Sequence, residues 1–172
     1  MQVNVTRKKT EFSPDSSRVI ARFLYLNDER AAEIIRKVLA MPEKVTNTVL
    51  SQLLRKYATR HRNISRVFEK HFEKLAPVFE KIGVNAKKLS MTQKALIGSY
   101  FTMEYSIEAA AFFNPSMVEH PDQSGVGSDE KRVVISFRAT GEGHISSLVF
   151  RKGVLDKNNN LSVDPVGKML AE

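Results

Sequence analysis

Arg138, Glu142, His144, Ser146 and Ser147 fall within ten residues of one another, and Asn114 stands before a proline upstream of them. Amide, guanidinium, imidazole and hydroxyl groups gathered around a glycine-flanked turn are the makings of a polar binding surface. Loops and strand ends are where a scaffold presents such groups without burying them, so a ligand is expected here. Each residue also has a plainer reading. Asn114 suits a helix end before Pro115, Arg138 suits a strand-end ion pair with Glu142, and His144 suits a hydrogen-bonded strand residue. Ser146 and Ser147 lack the strand–turn–helix setting of a nucleophile elbow, so no catalytic residue is assigned. Glu104 and Glu108 are four residues apart and are expected on one helical face. A dinuclear metal bundle needs additional Glu-x-x-His pairs. His71 and Glu73 do not supply that spacing, and no metal is expected.

The elements that position these groups follow from pattern. With 172 residues the chain fits one domain, or one domain and part of another, and 42% hydrophobic content suffices for a core. No apolar run approaches the ~20 residues that span a bilayer. The N-terminus lacks the apolar stretch of a secretory signal, and a cytoplasmic location is expected. The chain has no cysteine, which excludes disulfides and thiolate metal sites. Charge is uneven: residues 1–95 hold 20 Lys and Arg against 9 Asp and Glu, and residues 96–172 hold 7 against 10. The densest basic run, Arg55 to Arg66, is suited to a solvated helix end or to phosphate contacts.

Helices come first. Asn27 caps a run with Ala31, Ile34, Ile35, Val38 and Leu39 at helical spacing. Pro42 opens a second helix burying Val45, Val49 and Leu53. Asn63 caps a third, Pro77 divides it, and Gly83 stops it. Ser90 caps a fourth, apolar on nearly every side, which is expected to run from Met91 to Phe113. After Pro115 the period changes. A polar loop leads to strands over 132–138 and 144–151, separated by a turn at 139–143, and a short run at 161–163 follows. The expected fold class is α+β: a helical domain over 1–113, its first 18 residues flexible, then a small antiparallel hairpin or sheet over 114–172. Before residue 110 only helices are expected.

Asn114-Pro115-Ser116, Ser136-Phe137-Arg138-Ala139-Thr140-Gly141 and Gly143-His144-Ile145-Ser146-Ser147 together resemble the opening blade of glycoside hydrolase family 130, the β-mannoside phosphorylases and β-1,2-mannosidases. Leu26 to Arg30, Arg60 to Asn63 and Tyr105 to Ala110 are similar to a longer bacterial branch, in which a helical region precedes a five-bladed β-propeller. The resemblance covers about Arg18 to Pro165. It implies that 114–172 is a partial propeller blade, and that Asn114, Arg138, His144 and Ser146 contribute to binding an oligosaccharide or mannoside. An amide and a guanidinium suit vicinal hydroxyls. It also implies no cofactor, inorganic phosphate as co-substrate in a phosphorylase, and a catalytic aspartate in a later blade of a longer protein. The family often has Asp-Gly before the serine where this chain has His144-Ile145, a departure that bears on sugar identity.

A second reading is a basic helical module binding an acidic protein or nucleic acid through the Arg55–Arg66 face. No zinc finger, basic zipper or aromatic ribonucleoprotein motif accompanies that run, which disfavours nucleic acid. Homo-oligomerisation is compatible with either reading.

Overall fold

The computed structural model describes residues 5–167, 169 and 170. The rest of the expected flexible stretch (1–4) and of the 114–172 segment (168, 171 and 172) lies outside the described residues. The fold is mixed α+β, with five α-helices and two antiparallel sheets among the described residues. The described residues divide into two compact units, one formed by 19–105 with 169 and 170, the other by 5–18 with 106–167. This differs from the cut at 113/114 expected from the sequence.

The helical unit opens with β1 (Val19–Phe23) and continues through α1 (Asp28–Leu39) and α2 (Glu43–Ala58). Asn27 caps α1 as expected, its side chain accepting from Arg30 N at 2.8 Å, and Ala31, Ala32, Ile35 and Val38 are buried. Pro42 stands just before α2, which buries Thr46 and Leu50. Val45, expected in the core, is exposed. Next come α3 (Ile64–Glu73) and α4 (Ala76–Lys81), with Pro77 in the first turn of α4 and Gly83 at φ 68° just after it. Asn63 stands at the N-cap of α3 without a side-chain cap bond. α5 (Met91–Tyr100) begins at a full capping box, Ser90 and Gln93 bonding each other's backbone. Ile35, Val38, Leu75, Leu96 and Ile97 form the innermost core of this unit.

The expected helix to Phe113 ends at Tyr100. Residues 102–106 are β2 (Thr102–Ser106), which pairs with β1, so strands do occur before residue 110. Thr, Tyr and Phe recur from 101 onward, residues whose branched or aromatic side chains favour a pleated strand over a helix.

The sheet unit contains β3 (Ala111–Glu119), β4 (Lys131–Thr140), β5 (Ser146–Leu155) and β6 (Leu161–Val163), hydrogen-bonded in that order as an antiparallel meander. β4 alternates strictly: Val133, Ile135, Phe137 and Ala139 are buried, and the residues between them face the other side. Phe112 stacks on Phe137 with centroids 4.2 Å apart, and Phe12 tilts against Phe137 at 4.8 Å. The segment that carries Phe12 is fastened further along. Thr10 Oγ1 donates to Leu161 O, and Lys8 Nζ donates to Asn158 O and Asn160 Oδ1. The turn expected at 139–143 lies at 141–145, because β4 runs on to Thr140 and β5 begins at Ser146. Asn114-Pro115 does not end a helix. It sits inside β3, where the register shifts between Phe113 and Ser116. Proline lacks the amide a central strand must donate, and an edge strand with a bulge accommodates it. Among the described residues this unit is one four-stranded sheet without propeller closure. No helix of the described residues is long and apolar enough to cross a membrane.

Candidate functional site

The pairing of β3, β4 and β5 brings three of the four expected ligand-binding residues to one end of the sheet. Phe113 lies across from Arg138, and Arg138 across from Leu148; two positions on, Thr140 lies across from Ser146. Arg138 alternates out of the buried row and is exposed. Its Nε donates to Ser146 Oγ at 3.1 Å, and its guanidinium carbon lies 5.5 Å from the centre of the Phe113 ring. A hydroxyl on one side and a ring face on the other orient the fork. Its two terminal amino groups make no hydrogen bond to the described residues, and each can donate to a hydroxyl, carboxylate or phosphate oxygen. Arg138 does not pair with Glu142, so the plainer ion-pair reading does not hold.

Asn114 follows Phe113 directly and has φ 52°. A positive φ outside glycine is uncommon, although Asn tolerates it better than most residues. The bulge turns the chain there and takes Asn114 out of the regular ladder. His144 also has a positive φ, 60°, in the short 3-10 turn Glu142–His144. This turn is closed by Gly141 N donating to Ile145 O at 3.0 Å. His144 is exposed on that turn rather than on a strand as expected. Asn114 and His144 thus both hold left-handed backbone, as does Asn159 in the turn before β6. Phe113, which shapes this corner, was not among the residues singled out from the sequence. The frame of a sheet at 111–119 would have revealed it.

The two glutamates expected on one helical face serve different units. Glu104 lies on β2 and takes both Nε and Nη2 of Arg60, at 2.7 and 3.0 Å, and His61 Nε2 at 2.9 Å. Tyr57 stacks on His61, and Arg60 lies over the same ring. Part of the basic run is therefore spent inside the unit, and Arg55, Lys56, Arg62 and Arg66 are exposed. Burial pushes the Glu104 carboxyl up, but hydrogen bonds from Arg60 and His61 outweigh it and hold the group below its ordinary 4.5. A depressed carboxyl stabilises the fold fully above its unfolded pKa and loses that contribution as pH falls through its folded value. Glu104→Gln is expected to cost about 1.5–3 kcal/mol at neutral pH. The gap to the native chain should close below about pH 4.5. Urea midpoints across pH 3–7 measure it, and a gap independent of pH would refute the assignment.

Glu108 is fully buried in the sheet unit. Its carboxylate accepts Arg18 Nη1 at 2.6 Å, Arg151 Nη2 at 2.8 and 3.0 Å, and Asp15 N at 3.1 Å. Arg151 lies in the inward row of β5, between Val149 and Gly153. Burial pushes Arg18 below its ordinary value, against the pull of Glu108. No group of three or more His, Cys, Asp or Glu among the described residues is arranged to hold a metal. No family model, curated protein or solved structure matches the chain.

Proposed function

We propose that this chain is the N-terminal portion of a carbohydrate-active enzyme acting on β-mannosides, a glycosidase or phosphorylase. In this reading the helical unit is an accessory region, and Asn114, Arg138, His144 and Ser146 form part of the sugar site. The observation that carries it is the corner at Phe113–Arg138–Ser146, on a four-stranded meander in strict sequence order. Such a meander is the unit from which propeller blades are built, and the exposed fork of Arg138 suits sugar hydroxyls or phosphate oxygens. The resemblance to glycoside hydrolase family 130 over the same residues supports it from sequence. Hydrolysis with inversion needs an acid for the leaving oxygen and a base for water, or phosphate in place of both water and base. The acid belongs, in this reading, to a later blade.

Arg138→Ala tests it. In the longer protein the substitution is expected to lower kcat/KM on a β-mannoside about 10- to 100-fold, the loss of hydrogen bonds from a charged donor. The melting point should be nearly unchanged, because the side chain is exposed. Unchanged kcat/KM would refute the role. The 172-residue chain alone should bind mannobiose weakly, with Kd on the order of millimolar, and turn none over.

A further inference from the structure

The helical unit contains an open trough between α2, α3 and α5, of about 500 Å3. Leu50, Met91 and Ala95 give it an apolar floor, and Arg66, Lys94 and Glu69 are its charged lining. Met91 is 68% exposed and so can offer its thioether side chain to an occupant. Neither Arg66 nor Lys94 has an ion-pair partner among the described residues. Thr92 also lines a second depression of about 220 Å3, with Met41, Asn47 and Gln93. An occupant that reaches both depressions is elongated.

We propose that this trough docks an acidic amphipathic helix of a partner protein. The apolar floor takes the partner's apolar stripe, as helix-in-groove recognition requires, and methionine adapts to its side chains. Arg66 and Lys94 take carboxylates beside that stripe, and Glu69 disfavours an acid at its own position. Charge complementarity extends beyond the rim. Residues 19–105 hold 16 Lys and Arg against 8 Asp and Glu, which steers an acidic partner towards this unit. Single-stranded nucleic acid fits the trough poorly, because its lining offers no aromatic ring on which a base can stack.

The test uses the whole chain and a fluorescent synthetic helix of about 20 residues, with leucines at heptad spacing and glutamates between them. Saturable binding is expected, with Kd on the order of micromolar. R66E/K94E should weaken it at least about tenfold, and M91E should weaken it too. Arg66 and Met91 are exposed and Lys94 is half-buried, and circular dichroism checks that each variant keeps its fold. K87E/K88E changes net charge equally but lies off the trough, and should leave Kd unchanged. The proposal fails if the peptide does not bind up to millimolar concentration, or if K87E/K88E weakens binding as much as R66E/K94E. It also fails if single-stranded DNA of equal charge binds more tightly than the peptide.

Discussion

Glu108→Ala is expected to destabilise the sheet unit by about 3–5 kcal/mol, the cost of leaving buried charges without their partner. Two guanidinium groups, Arg18 and Arg151, converge on a carboxylate with no exposed surface. Removing the acid leaves two like charges facing each other in a poorly hydrated space. The loss should be local in its first effect. Asp15 N and Arg18 lie on the segment that precedes β1, so amide exchange over residues 8–18 should rise before the sheet itself unfolds. Replacing all three charges together, as R18M/E108L/R151M, is expected to cost far less than the single change, because the desolvation penalty disappears with the charges. If Glu108→Ala and the triple variant lose the same stability in urea unfolding, the carboxylate does not hold the arginines in place.

Gly98→Ala should be nearly as damaging to the helical unit, for a reason of pure geometry. A Cβ built on Gly98 would lie 1.9 Å from the carbonyl oxygen of Phe68 and 2.7 Å from its carbon. The obstacle is backbone, and Phe68 is completely buried, so neither helix can yield by turning a side chain. In an exposed helix the same change gains about 1 kcal/mol from propensity. Here α3 and α5 must separate, and the net loss is expected to reach at least about 3 kcal/mol, the upper part of the overpacking range. Gly83→Ala is the control. Gly83 has φ 68° with nothing within 4 Å of an added Cβ, so only the left-handed backbone is penalised, by about 1–2 kcal/mol. A Gly98→Ala chain as stable as the Gly83→Ala chain would refute the close approach of the two helices.

The helices were legible because their ends carry chemistry that acts locally. Asn27 and Ser90 cap where expected, and Gly83 stands just beyond α4. Residues 101–113, expected at the end of the last helix, lie beyond it for a physical reason. Ala109-Ala110-Ala111 favours a helix, and an apolar run of this length cannot be assigned by periodicity alone. What decides it is pairing with Val19–Phe23 and with β4, both distant in sequence. Asn114 was singled out as a helix end and is a bulge residue instead. Arg138 and Ser146 could be placed near each other from the sequence, but their hydrogen bond depends on a hairpin register that a turn misplaced by two residues would break. The buried Glu108 cluster gave no local signal, since its three members lie at 18, 108 and 151 and meet only in the folded sheet unit.

The segment before β1 has a bearing on how the protein is made. Lys8 and Thr10 bond residues about 150 positions later, and Arg18 O accepts Ile107 N at 3.2 Å. Residues 19–105 are thus spliced into the sheet unit, with their two ends held together by that bond and by the pairing of β1 with β2. On a ribosome adding about 5–20 residues per second, the helical unit emerges and folds seconds before β5 and β6 exist. The leading segment must wait unpaired through that interval, with Phe12 uncovered and Arg18 lacking one of its two buried neighbours. Any chaperone that protects this protein during synthesis would find its target in residues 8–18 rather than in the helices.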